Sequence, residues 1–290
     1  MKLARIRHGA EVRWVAAGHE GLRILSQQDV IDALRHTGAP GGWTDAAAMS
    51  SELSGAALEV PFVEDAALFC IGLNYKEHVE EVERDMPPFP SVFLRLARSV
   101  VGHGYPLAMP SSSTAYDFEG EVAFVIGKPG RHIALADAWD HVGGFTVFMD
   151  GSVRDVQKQS LTAGKNFHAS GACGPWIVTS EKISDVAAMR IRTTVNGREM
   201  QSSSTDKLIY SIPRIVHYLS TFTELRTGDI IATGTPAGVG VSREPALWLK
   251  AGDVVEVTVD GVGALRNTVA ADASGGQVGD VQGLRQEGEK

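Results

Sequence analysis

Asp117-Phe118-Glu119-Gly120-Glu121-Val122-Ala123-Phe124-Val125-Ile126 is the stretch on which the reading of this chain turns. Its β-branched and aromatic second half reads as a strand, in which side chains two apart share a face. On that reading Asp117, Glu119 and Glu121 point the same way. Three carboxylates on one face repel each other and lose hydration unless a cation or a shared proton compensates. A hard divalent ion with oxygen ligands, Mg²⁺, Mn²⁺ or Ca²⁺, is the natural partner.

Downstream, the apolar run Gly143-Gly144-Phe145-Thr146-Val147-Phe148-Met149 ends in Asp150. A carboxylate at the end of a buried strand must be paired or metal-bound if it is ionised, so Asp150 joins Glu119 and Glu121 as a candidate ligand. Arg154 and Asp155 nearby read as a structural ion pair. Further short strand-like runs surround this pair: Leu68 to Ile71, Val92 to Leu94, Trp176 to Thr179, Ile191 to Val195, Asp229 to Thr233 and Val254 to Val259. Helical spacing appears over 76–84 and 212–221. The fold class expected is therefore α+β with a β-rich core.

Residues 1–62 alternate strand-like runs (1–6, 12–15) with helical patterns (27–35, 44–54) and read as a small N-terminal α/β module. Residues 63–290 read as the catalytic domain, with a loose Gly-rich tail after Ala271.

The 290 residues carry a net charge of −8, with 43% apolar and 21% charged side chains, the profile of an ordinary globular protein. No Lys/Arg cluster suggests a nucleic-acid footprint. No apolar stretch approaches the roughly 20 residues of a membrane span, and the N-terminus lacks a signal-like apolar region. The two cysteines, Cys70 and Cys173, cannot build a disulfide framework, which points to a cytoplasmic setting.

Three other constellations carry chemistry. His78 and Glu81, at i and i+3 on one helical face, form a pair in which the carboxylate orients the imidazole as a general base. Lys165, after Gly164, can present an ammonium to an anionic substrate. Thr233-Gly234-Thr235-Pro236-Ala237-Gly238-Val239-Gly240 is a Gly-rich loop without the Gly-Lys-Ser/Thr ending of a phosphate loop. Its hydroxyls and N–H groups are suited to a carboxylate.

In order along the chain stand Gly-Leu-Asn-Tyr-x-x-His-x-x-Glu (72–81), Asp-Phe-Glu-Gly-Glu (117–121), Met-Asp-Gly-Ser-Val-Arg-Asp-Val-Gln (149–157) and Gly-Lys-Asn-Phe (164–167). The series ends with Gly-Asp-Ile-Ile-Ala-Thr-Gly-Thr-Pro-Ala-Gly-Val-Gly (228–240) and Gly-Ala-Leu-Arg-Asn-Thr-Val (263–269). From about residue 67 to 270 this series resembles the fumarylacetoacetate hydrolase family. The resemblance implies a mixed β-sandwich roll, a homodimer, metal ligands at Glu119, Glu121 and Asp150, and a lid helix bearing the His78/Glu81 pair. It further implies Lys165 as a catalytic cation and substrate contacts at Thr235, Gly234 and Gln157. The chain departs from the usual pattern at Met149, Gly151 and His168. Arg95 stands where many members have Lys, a candidate carboxylate anchor or a structural ion pair.

The expectation is hydrolysis of a carbon–carbon bond in a small 2,4-dioxo acid, with His78 and Glu81 activating water. The alternative keeps the metal site and dispenses with the water: isomerisation of a hydroxymuconate-type dienoate, or decarboxylation or isomerisation of an oxaloacetate-type 2-oxo acid.

Overall fold

A computed structural model describes residues 1–18, 21–36 and 57–272. The helical pattern expected over 44–54 and the tail beyond 272 lie outside the described residues. The chain opens with β1 (Lys2–His8), β2 (Glu11–Gly18), β3 (Gly21–Leu25) and helix α1 (Gln27–Arg35). Ser26 begins α1 with a capping box, its hydroxyl accepting from Asp29 N–H while the Asp29 carboxylate accepts from Ser26 N–H. After β4 (Ala57–Glu59) come β5 (Leu68–Gly72), the short helix α2 (Lys76–Glu81), β6 (Ser91–Leu94), β7 (Val100–Val101) and β8 (Leu107–Met109). The centre of the chain holds β9 (Tyr116–Asp117), β10 (Gly120–Ile126), β11 (Val142–Met149), β12 (Ser152–Val153), α3 (Arg154–Gln157), α4 (Leu161–Lys165) and β13 (Gly171–Thr179). The last third supplies β14 (Arg190–Val195), β15 (Arg198–Ser204), α5 (Ile212–Phe222), β16 (Ile230–Ala232), β17 (Val254–Val259) and β18 (Gly263–Ala271).

These strands form two main layers. An eleven-stranded mixed sheet runs β3-β2-β1-β13-β11-β10-β16-β5-β6, with β4 on β1 and β7 on β13; a five-stranded sheet runs β15-β14-β17-β18-β8. The fold is strand-rich α+β, as expected. The N-terminal strands extend the large sheet, because β1 pairs antiparallel with β13.

Why β10 and β11 are apolar throughout follows from their position. Every residue of both strands is buried, the pattern of strands covered on two faces. Alternation splits β10: Val122, Phe124 and Ile126 enter the larger core with Ile191, Val257 and Leu265 of the second sheet and the apolar face of α5. Ala123 and Val125 face the other way, into a core shared with Val30 and Leu34 of α1. Filling both sides at about 25 cal/mol per Å² of apolar surface holds the central strands rigid.

That rigidity matters at one edge. The start of β10 pairs Gly120 with Met149 at the end of β11, while parallel β5 and β16 end beside them at Gly72 and Ala232. Four chain segments therefore leave the sheet at one place, as α2, the turn at Asp150, the loop after Ala232 and the approach to Glu119. Among the described residues no helix is long and apolar enough to cross a membrane.

Candidate active site

Glu119, Glu121 and Asp150 meet at this edge, each buried, with one carboxylate oxygen apiece lying within 4.8 Å of the others. Gly120 between the two glutamates is imposed by the second sheet, since a Cβ there would stand 2.0 Å from Thr193 Oγ1. The backbone of Gly120 faces away from β11 and is satisfied by side chains: its N–H donates to Gln201 Oε1 at 2.9 Å, and its carbonyl accepts from Thr235 Oγ1 at 3.0 Å. Gln201 Nε2 in turn donates to Thr235 Oγ1 at 2.7 Å. A carboxamide from β15 thus fixes the spacing of the two glutamates.

Asp117 does not join them. The strand breaks at Phe118 and Glu119, and the Asp117 carboxylate turns to accept from Gly240 N–H at 2.7 Å and Arg154 Nε at 2.8 Å. The pairing expected between Arg154 and Asp155 is also replaced. Arg154 bridges Asp117 and Glu119, at 2.6 Å from the latter, whereas exposed Asp155 accepts from Ser113 Oγ at 2.7 Å. A buried pair of carboxylates outcompetes a solvated neighbour for a buried guanidinium.

Lys165 at the end of α4 is buried, its Nζ 2.6 Å from Glu119 and 2.5 Å from Asp150. Burial alone would discharge it, but Asp150 and Glu119 outweigh that and hold its pKa above the ordinary lysine value. Glu119 is depressed well below the usual carboxylate range: burial opposes its charge, and Lys165 and Arg154 overcome burial. Glu121 is the opposite case. Burial, then Asp150 and Glu119, push its pKa well above the carboxylate range, and its one backbone donor is Gly234 N–H at 2.8 Å.

Arg95 lies behind the site. Its guanidinium is fully buried and donates to Asp150 Oδ1 at 2.5 Å, Gly151 O, Ser99 Oγ, Ser99 O and Ser170 Oγ. With these donors engaged and no face on the cavity, Arg95 is the structural partner of Asp150 and not a substrate anchor.

A cavity of about 460 Å³ opens over the carboxylates, lined by His78, Glu119, Glu121, Lys165, Thr235 and Gln157 among others. His78 is buried, its Nδ1 3.3 Å from Glu81 Oε2. The other Glu81 oxygen accepts from Gly238 N–H at 2.8 Å and Ser242 Oγ at 2.5 Å. Burial works against the Glu81 charge, but these donors prevail and set its pKa below the usual value. The pair is thereby tied to the loop after β16. Gln157 accepts from Arg154 Nη1 at 3.0 Å, and Gly234 serves Glu121 through its backbone with φ at +99°.

Sequence reasoning missed Gln201, Arg154's true partners, Ser242, and the exposed cations Arg84 and Lys158 on the cavity wall. The segment that becomes β15, Arg-Glu-Met-Gln-Ser-Ser-Ser, carries no pattern that singles out Gln201.

Residues 67–270 match the family described as fumarylacetoacetate (FAA) hydrolase, C-terminal. The mitochondrial oxaloacetate tautomerase fahd2 of Xenopus laevis is 42% identical over 221 residues, covering 74% of this chain and 69% of that protein. The oxaloacetate tautomerase YisK of Bacillus subtilis is 40% identical over 207 residues, covering 70% and 69%. Among solved structures, the 2-hydroxyhepta-2,4-diene-1,7-dioate isomerase of Mycobacterium marinum superposes with a TM-score of 0.75 at 30% identity, covering 94% of this chain and 99% of that one. The match spans every element that builds the carboxylate edge, from β5 through β18, and on that ground the chain is an enzyme of the fumarylacetoacetate hydrolase family.

Proposed function

We propose that this enzyme interconverts the keto and enol forms of a small 2-oxo acid of the oxaloacetate type, at a divalent cation held by Glu119, Glu121 and Asp150. The observation that carries this reading is the convergence of three buried carboxylates, two of which, Glu119 and Glu121, line a cavity whose wall holds His78. The tautomerase relatives support isomerisation over the carbon–carbon hydrolysis expected from the motif series.

The donor set fits a hard cation. Four buried carboxylates, Asp117, Glu119, Glu121 and Asp150, face the three cations Arg95, Arg154 and Lys165. The charge left over falls on Glu121, which pairs with none of the three, and burial, then Asp150 and Glu119, raise its pKa. Mg²⁺ and Mn²⁺ suit such oxygen ligands, and Ca²⁺ is compatible. When bound, the cation supplies Lewis-acid stabilisation of negative charge on the 2-oxo oxygen.

The chain's own groups do the remaining work. Lys165 shares its ammonium between Glu119 and Asp150 and keeps it charged beside the oxygen where negative charge develops. His78, with Nδ1 directed at Glu81, offers Nε2 to move a proton at the carbon next to the oxo group. Enolisation takes that proton from carbon and ends with one on oxygen. The reverse returns it, so a carbon–hydrogen bond is exchanged for an oxygen–hydrogen bond, no water is consumed and no carbon–carbon bond breaks.

A second reading, hydrolysis of an acylpyruvate, is favoured by the same His78–Glu81 pair, which also suits water activation. Enol-oxaloacetate, an acylpyruvate and a 2-hydroxy dienoate should be incubated in D₂O with Mg²⁺ or Mn²⁺ and followed by NMR. The isomerase reading expects faster enol–keto interconversion of oxaloacetate with deuterium entering C3. Acylpyruvate cleavage without such exchange would replace it by the hydrolase reading. A homodimer is supported by the aromatic row of exposed Phe89 and Phe222 on either side of half-buried Tyr218, with ring centroids 6.3 and 5.8 Å apart, and sedimentation velocity tests it.

A further inference from the structure

The cavity has an electrostatic gradient that the carboxylate floor does not explain. At the floor, Lys165 and Arg154 are spent on Glu119, Asp150 and Asp117. Apolar side chains, Leu73, Phe93, Leu161 and Val241, occupy the walls. Two further cations, Arg84 and Lys158, also line the cavity and are exposed, which places them at its mouth. Among the described residues neither forms an ion pair or a side-chain hydrogen bond. Like-charged side chains facing one cavity repel each other and gain nothing from the fold; an anion between them would reverse that.

Arg84 is not on a loose arm. Helix α2 closes with Glu83 in the left-handed region at φ +52°, and the Arg84 N–H returns to the Val79 carbonyl at 3.1 Å, the closure of a Schellman motif. A non-glycine residue held at positive φ fixes the direction in which the chain leaves the helix. His78 and Arg84 are therefore two ends of one small rigid unit. Lys158 follows α3 directly, eight positions after the candidate ligand Asp150, with its N–H bonded to the Arg154 carbonyl at 3.3 Å.

We propose that Arg84 and Lys158 form the subsite for a second, distal carboxylate of the substrate, and that Arg84 couples its occupancy to the placement of His78 through α2. The inference rests on reading the floor as the seat of the 2-oxo acid end. It defines the preferred substrates as 2-oxo dicarboxylates, with 2-oxo monocarboxylates turned over poorly because nothing draws α2 onto the site.

The test uses the full-length protein loaded with Mg²⁺, titrated calorimetrically with oxaloacetate, its 4-methyl ester and oxalate. The ester keeps the 2-oxo acid end and lacks the distal charge; oxalate has no distal group. A lost charge-assisted hydrogen bond corresponds to about tenfold in affinity, so Arg84→Gln should weaken oxaloacetate by about that factor and bring it to the level of the ester. The ester and oxalate should stay within about twofold, because neither reaches Arg84. Lys158→Gln should show the same selectivity with a smaller loss, and Arg84→Lys a partial recovery.

In the tautomerase assay Arg84→Gln should lower kcat for oxaloacetate about tenfold more than kcat for the ester, a split that a general structural defect does not produce. Equal losses for all three ligands, or undiminished oxaloacetate binding in Arg84→Gln, would overturn the subsite. Wild-type protein that binds oxaloacetate with this selectivity without interconverting its tautomers would retain the subsite and refute the reaction proposed above.

Discussion

The backbone N–H of Gly234 donates to Oε2 of Glu121 at 2.8 Å, tying the loop after β16 to the carboxylate with the least support in the cluster. Gly234 does this at φ +99°, and a Cβ there would lie 2.8 Å from the Ile71 carbonyl oxygen and 2.9 Å from Asn74 Cβ. Gly234→Ala therefore meets both an unfavourable dihedral and a backbone clash. A loss of about 1–3 kcal/mol is expected, together with weaker divalent-ion binding, as read by chemical denaturation and calorimetry.

Burial, then Asp150 and Glu119, disfavour the charged form of Glu121 and raise its pKa well above the carboxylate range. Glu121→Gln keeps an acceptor for Gly234 N–H and removes the repelled charge. In the presence of a chelator the variant should be more stable than wild type by about 1 kcal/mol, and its Mg²⁺ affinity should collapse. A variant that is less stable without metal would mean that Glu121 is not strained by its neighbours.

His78 makes no contact with the three carboxylates among the bonds it forms, its partner being Glu81. His78→Ala should lower kcat by about 10²- to 10⁴-fold, the range of a general acid–base group, while metal affinity stays nearly unchanged. Unaltered turnover would remove His78 from the reaction.

Glu81 accepts from His78, Ser242 and Gly238, and its folded pKa lies below the ordinary value. A carboxylate of this kind stabilises the fold above its unfolded pKa of about 4.3, and that contribution disappears as pH falls through the lower folded value. Thermal melts of wild type and Glu81→Gln should therefore differ fully near neutral pH and converge below about pH 4. A gap independent of pH would show that the Glu81 charge is not what its donors stabilise.

Much of this was readable in the residues, for reasons that separate cleanly. The strand runs of β10 and β11 are apolar because both faces are buried, and their ends place Glu119, Glu121 and Asp150 by local geometry alone. Asp117 misled because a period of two holds only while a strand continues, and this one breaks at Phe118, where the carboxylate caps the N–H groups of Gly240 and Val241. Arg154 was assigned to the adjacent Asp155, since spacing reveals sequence neighbours and not the burial that makes Asp117 and Glu119 the stronger partners. Arg95 stood between two roles until its donors were seen to be consumed. Gln201 was invisible because its role exists only once the second sheet packs against Gly120.

The most direct test of the account is anomalous diffraction from crystals soaked in Mn²⁺. The account predicts one strong peak in contact with oxygens of Glu119, Glu121 and Asp150, lost in Glu121→Gln crystals treated alike. Saturating Mn²⁺ with no peak at these three carboxylates would contradict it.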